Sequence, residues 1–293
     1  HLLILNMKKL LLLLILLSCS EDNYETTIQT NYSLEEVVTL ENIVNETSGL
    51  IFIGEELITH NDSGGENKLY KIDSLNGTAY ENKIIPNSSN IDWEDLAKDY
   101  NFLYIADFGN NLGNRIDLNI IKINIKDFVS TNNFEIENIS FSYSDQTNFN
   151  NSIYNHNYDA EALIATEDYL YVFTKNWEDL QTNIYQIPKT SGNHLAIKIG
   201  SLNTQGLITG ADYIFSEDKV VLLGYNLNSN FIIEINNFGD GNITDSQFEK
   251  YEFNIPVNLS SQTEGISIKD DKIFLSAETN NGEPATLYRL NQN

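Results

Sequence analysis

Short apolar runs closed by polar turns follow one another from Ser48 to the end of the chain, and one pattern recurs in them five times. It stands at Leu69-Tyr70-Lys71-Ile72, Ile120-Ile121-Lys122-Ile123, Ile184-Tyr185-Gln186-Ile187, Ile232-Ile233-Glu234-Ile235 and Leu287-Tyr288-Arg289-Leu290. Each copy reads apolar, apolar or Tyr, polar, apolar, and the copies lie roughly 50 to 65 residues apart, close to the period of a propeller blade. Around them the strand-like runs come in fours. The first set is Leu50–Gly54, Glu56–Asn61, Lys68–Asp73 and Thr78–Ile85. The second is Glu94–Lys98, Phe102–Asp107, Leu118–Ile125 and Ile136–Tyr143. The third is Glu161–Thr166, Tyr169–Thr174, Asn183–Ile187 and His194–Ile199; the fourth is Ala211–Ser216, Lys219–Tyr225, Phe231–Ile235 and Gln247–Phe253. The fifth stops at three: Gly265–Lys269, Lys272–Ala277 and Thr286–Leu290.

An open sheet edge would leave a row of unpaired backbone groups. The lone N-terminal run from Leu34 to Val44, around Val37–Ile43, is expected to supply the missing strand. This arithmetic predicts an all-β fold, a five-bladed β-propeller closed by an N-terminal strand. A six-bladed ring is the fallback; its extra strands would have to come from residues 144–158, which are polar and read as a loop. No segment carries a sustained helical period.

The first residues are of another kind. Met7-Lys8-Lys9 and the apolar run from Leu10 to Leu17 have the n-region and h-region of a secretory signal, too short to span a bilayer as a stable helix. Residues 1–18 are read as a signal peptide starting at Met7. Leu16-Leu17-Ser18-Cys19 resembles the lipobox of bacterial lipoproteins, and Cys19 is the chain's one cysteine. That resemblance implies that Cys19 is diacylated and tethers the protein to the membrane. Residues 19–32 form an acidic tether, and Ser20-Glu21-Asp22-Asn23-Tyr24-Glu25 resembles the surface-export signal of Bacteroidetes-type lipoproteins. The expected location is the bacterial outer membrane, surface-exposed, with the periplasmic face as the alternative. Residues 33–293 form the single propeller domain, expected to be a monomer.

Charge narrows the partners. With 17 Lys and Arg against 42 Asp and Glu, the net charge is −25. Nucleic acid, which needs a basic surface, is excluded as a partner, and anionic head groups are disfavoured. Cations are favoured.

In a propeller the innermost strand of each blade starts on the face where the second strand ends. Aligned in register, the strand starts place Ser48, Glu94, Glu161, Ala211 and Glu264 in one column. Three carboxylates in a narrow channel repel unless something compensates. Ca²⁺, which accepts six to eight oxygens, is the cofactor that Glu94, Glu161 and Glu264 would hold; the alternative is that these glutamates tie neighbouring blades together. Loops at the second-strand ends add ligand-binding candidates: Asn61, Asp62, Asn110, Arg115, Lys175, Trp177, Asn226 and Glu278. Asp62, Asp107 and His156 are the candidates for acid or base. The motifs G-x-S-x-G and G-x-x-x-x-G-K-[ST] do not occur.

Ser48-Gly49-Leu50, His60-Asn61-Asp62-Ser63-Gly64, Asp92-Trp93-Glu94-Asp95-Leu96-Ala97, Asp107-Phe108-Gly109-Asn110-Asn111 with Arg115, and Asp159-Ala160-Glu161-Ala162-Leu163 occur in that order. Over about residues 48–290 the chain resembles a group of secreted bacterial β-propellers, loosely similar to the phytase-like and "esterase-like activity of phytase" propellers. The resemblance implies calcium among acidic groups on the top face and basic side chains, here Lys175 and Arg115, for a phosphate. Three functions are carried forward. The first is an envelope-anchored lipoprotein that binds an oxygen-rich small molecule or glycan on its top face through Ca²⁺. The alternatives are a metal-dependent hydrolase of phosphoesters, esters or lactones, and a protein-interaction scaffold.

Overall fold

The computed structural model describes residues 32–239, 241, 243, 247–253, 262–280 and 282–292. The signal peptide, Cys19 and all of the tether before Tyr32 lie outside these. The chain is built almost entirely of strands, as expected. β1 (Tyr32–Thr39) is followed by a first unit of β2 (Thr47–Ile53), β3 (Glu56–Asn61), β4 (Lys68–Ile72) and β5 (Ala79–Ile84). The second unit is β6 (Trp93–Lys98), β7 (Phe102–Asp107), β8 (Asn119–Asn124) and β9 (Ile136–Tyr143). The third is β10 (Asp159–Ala165), β11 (Tyr169–Lys175), β12 (Thr182–Pro188) and β13 (Gly192–Leu202). The fourth is β14 (Leu207–Ile214), β15 (Lys219–Tyr225), β16 (Asn230–Asn236) and β17 (Gln247–Phe253); β18 (Thr263–Lys269), β19 (Lys272–Ala277) and β20 (Thr286–Gln292) follow. Each unit is an antiparallel meander. The outer strands β9 and β13 also pair in parallel, fusing the second and third units into one eight-stranded sheet.

The innermost strands β2, β6, β10, β14 and β18 neighbour one another in a closed circle. Five apolar clusters fill the gaps between successive units, one at each junction. This explains the recurring four-residue pattern, which lies on the third strand of every unit. Its first position packs against the following unit: Leu69, Ile120, Ile184, Ile232 and Leu287. Its second and fourth positions pack against the preceding one, as Tyr70 and Ile72 do. A strand buried on both faces needs apolar residues at both parities, and only the third position is free to be polar.

β1 pairs antiparallel with β20 and supplies the last sheet's fourth strand. It begins at Tyr32, the final residue of the expected tether, and ends at Thr39. The segment expected to continue the strand to Val44 instead makes a 3-10 turn over Asn42–Val44. A short helix, α1 (Ile125–Ser130), also departs from the sequence reading. Asn124 caps it by accepting from Lys126 N and Asp127 N, and Phe128 is buried; at six residues it is too short to show a period. Residues 144–158 contain no strand, and no helix among the described residues is long and apolar enough to cross a membrane. Because β1 satisfies the edge of β20, a variant starting at residue 40 should aggregate or unfold, whereas one starting at residue 31 should melt like the full chain. Circular dichroism melts of the two compare them directly.

Candidate functional site

Every innermost strand carries a β-bulge at the same place, near its start. The unpaired residues are Ser48 and Gly49, Glu94, Glu161, Thr209 and Glu264. A bulge re-aims its side chain out of the alternation of the strand, and here it turns three glutamates toward the top of the channel. The expected column is corrected at one point: the fourth unit presents Thr209, not Ala211. One residue further on, four units place a small residue, Gly49, Ala162, Gly210 or Gly265, and the second places Asp95. The fully buried Asp95 carboxylate reaches across the channel. Its Oδ1 accepts from Leu96 N at 2.8 Å, and its Oδ2 from Leu163 N at 2.8 Å and Ala211 N at 3.2 Å.

Above this brace lies a cavity of about 100 Å³ lined by Asp62, Glu94, Glu161, Glu264, Lys175, Tyr225 and Gln262, with Asn111, Tyr154 and Trp177 beside them. The sequence-predicted Asp62, Glu94, Glu161, Glu264, Lys175 and Trp177 therefore meet in one place. The three glutamates do not act as one group. Lys175, 6% exposed, sits with Nζ 3.2 Å from Glu161 Oε1 and over the rings of Trp177 at 5.3 Å and Tyr225 at 5.6 Å. Burial works against its charge, but Glu161 and Glu264 outweigh it and hold the ammonium well above the usual lysine range. Gln262, with its amide turned to donate, lies 3.1 Å from both Glu264 Oε1 and Glu278 Oε1.

Glu94 stands apart. It is 4% exposed, and its carboxylate makes no hydrogen bond or ion pair among the described residues. It groups with Asp62 and Asp92: one carboxylate oxygen from each of the three lies within 4.8 Å of the other two. Gly109 leaves room for this trio, since a Cβ there would collide with Glu94 Oε1 and Asp92 Oδ2. Burial, then the charges of Glu161, Asp62 and Asp92, push the Glu94 carboxyl well above its usual range. Burial and Asp62 raise Asp92 to about 7. Burial raises Glu264 to about 8 despite Lys175, and raises Glu278 to about 7.

These raised carboxyls give stability a definite pH sign. A carboxyl that binds its proton more tightly when folded stabilises the fold below its unfolded pKa of about 4, and that gain is lost as pH rises through the folded value. With a chelator present, the melting temperature should therefore fall between pH 5 and pH 8.5. A chelated protein more stable at pH 8.5 than at pH 5 would contradict the raised values.

The remaining sequence candidates brace the loops. Asn61 accepts from Glu46 N and donates to Ile43 O. Asn110 accepts from Arg115 N and donates to Tyr158 O. Arg115 donates to Gly109 O and pairs with Asp107 and Asp117. Asp107 also accepts from Asp92 N, and Asn226 folds its own turn by accepting from Asn228 N and Ser229 N. His156 is not at the cavity: its Nδ1 accepts from Tyr158 N and its Nε2 faces Asn111 O. Sequence reasoning passed over Asp92, Tyr225, Gln262 and Asp159, which accepts from Trp177 Nε1 at 2.8 Å and from Asn110 N at 2.7 Å. Asp92, Asp159 and Gln262 stand at the same strand starts as the glutamates; only the bulge geometry distinguishes what each one faces.

No protein-family model matches the chain, and no curated protein matches it. Among solved structures it is similar to the glutaminyl cyclase of Myxococcus xanthus, with a TM-score of 0.50 and 11% identity over 89% of this chain and 95% of that one. A protein from Thermus thermophilus described as an oxidoreductase (glucose dehydrogenase) aligns with a TM-score of 0.42 and 7% identity over 89% of this chain and all of that one. At 11% identity the first likeness concerns the fold alone: the chain is a propeller-like all-β protein with a buried acidic cavity on one face.

Proposed function

We propose that the protein is an envelope-anchored β-propeller that binds an oxygen-rich small molecule or glycan on its top face, with Ca²⁺ held by Asp62, Asp92 and Glu94. The observation that carries this reading is the unpartnered, buried Glu94 carboxylate beside two others within 4.8 Å. Oxygens bound to one Ca²⁺ at about 2.4 Å stand at most about 4.8 Å apart, so the trio fits one ion. Its all-carboxylate chemistry suits a hard cation rather than zinc. The ion belongs on this trio rather than on Glu94, Glu161 and Glu264, because Lys175 already pairs with Glu161 and Gln262 donates to Glu264. Both cations offered for an anionic ligand are engaged, Arg115 by Asp107 and Asp117 and Lys175 by Glu161. That turns the preference from phosphates to neutral, hydroxyl-bearing ligands.

Thermal unfolding of residues 31–293 with chelator and then with Ca²⁺ tests the site. Ca²⁺ at a hundred times its dissociation constant adds about 2.7 kcal/mol, which for a domain of this size is a rise of about 5 °C or more. Glu94→Gln should abolish the rise. A wild-type protein indifferent to Ca²⁺ would remove the cation. Anchoring through Cys19 is tested by radiolabelled palmitate incorporation, which Cys19→Ser should eliminate, and surface display by protease shaving of intact cells.

A second reading, a metal-dependent hydrolase of esters or lactones, is favoured by carboxyls titrating near neutrality, Asp92 and Glu278 at about 7. Turnover of p-nitrophenyl acetate or a simple lactone by the Ca²⁺-loaded protein, lost in Glu94→Gln, would support it; no turnover would leave the binding reading.

A further inference from the structure

Beside the acidic cavity runs a second, larger concavity of about 610 Å³, between the loop of residues 144–158 and strands β12 and β13. Its volume is that of a site for a ligand of several rings. Its walls are amides and hydroxyls for the most part. Part of this lining is fixed by internal bonds: Asn157 Nδ2 donates to Asp179 Oδ2 at 2.9 Å, and Ser201 Oγ donates to Asn183 Oδ1 at 2.8 Å. Four lining side chains, Asn150, Glu178, Gln181 and Lys198, make no hydrogen bond or ion pair among the described residues. Lys198 is the one cation among the lining residues, against Asp145, Glu178 and Asp179, so an anionic ligand is disfavoured.

An aromatic ridge divides groove from cavity. Tyr154 and Trp177, ring centroids 4.4 Å apart, line the cavity, while their chain neighbours Asn155 and Glu178 line the groove. The Lys175 ammonium already lies against Trp177, but Tyr154 remains 57% exposed. Its backbone has φ +54°, a left-handed conformation that costs energy for an aromatic residue and recurs at binding sites.

We propose that this groove is a subsite for an uncharged oligosaccharide, with one sugar ring stacked on Tyr154 and neighbouring hydroxyls taken by Asn150 and Gln181. Flat aromatic faces and free amide groups are what a pyranose offers its apolar and hydroxyl sides to. The inference rests on the top face being the ligand-binding face, and not on the cation. Native affinity electrophoresis in gels containing neutral β-glucan, xylan or mannan, with polygalacturonate as the acidic contrast, tests it. The protein should be retarded by at least one neutral polysaccharide and not by polygalacturonate. Tyr154→Ala and Gln181→Ala should each weaken that retardation about tenfold, the equivalent of one lost contact of about 1.4 kcal/mol, and Gln181→Ala, which lies outside the acidic cavity, should leave the Ca²⁺-dependent melting shift in place. Retardation by none of the four polymers, by polygalacturonate alone, or to the same degree in both variants would overturn the proposal. Glu94→Gln separates the two claims: a lost Ca²⁺ shift with intact wild-type retardation upholds both, and a wild-type protein without a Ca²⁺ shift but with retardation removes only the cation.

Discussion

Asp95→Ala is expected to cost on the order of 4 kcal/mol of stability. The carboxylate is fully buried and accepts three backbone N–H groups, one from its own strand and one each from β10 and β14. Removing it strands three donors in the channel, and each buried unsatisfied group costs about 1–3 kcal/mol. The cavity left behind adds to this. Alanine supplies no acceptor, whereas Asp95→Asn keeps one carbonyl oxygen and the shape, so it should lose distinctly less. Urea denaturation of the three proteins measures the difference. Equal loss in both variants would mean that charge, not acceptor geometry, carries the brace.

Lys175→Met is expected to destabilise by about 3–5 kcal/mol near pH 8, the range for removing one partner of a buried ion pair. Among the described residues the ammonium is the one basic group lining the cavity, which Glu161, Glu264, Glu94 and Asp62 also line, and it pairs with Glu161. Its folded pKa is held above the usual value, so its contribution is fully present at neutral pH and is lost only as pH rises through that folded value. The variant should partly recover at pH 5, where the glutamates it leaves behind take up protons. Glu161→Gln combined with Lys175→Met should recover more than half the loss at pH 8, because the uncompensated charge is gone. A double variant as unstable as Lys175→Met would show that packing against Trp177 and Tyr225 matters more than the charge.

Both predictions depend on contacts between strands far apart in the chain, and they mark where sequence reading stops. The apolar runs and their spacing carried the all-β fold, and the three-strand last set required a strand from the N-terminal end. Pattern succeeded there because strands buried on two faces admit few sequences. It placed the end of β1 too late: Asn42–Val44 is apolar enough to pass for strand, but Val44 N bonds back to Glu41 O and closes a turn there. It also placed Ala211 where Thr209 stands, because a bulge shifts register without changing the alternation of residue types.

Acidic strand starts were legible as a ring of glutamates from the sequence alone, and so was the surplus of negative charge. Tertiary structure decided how the ring divides. Lys175 comes from the end of a neighbouring strand to neutralise Glu161, while Asp62 and Asp92, from two different loops, converge on Glu94. Whether a loop asparagine faces a ligand or ties down its own turn was likewise settled only in three dimensions. The physical reason is range: residue alternation encodes burial locally, whereas the distance between two charges depends on how the innermost strands of successive sheets come together in a circle.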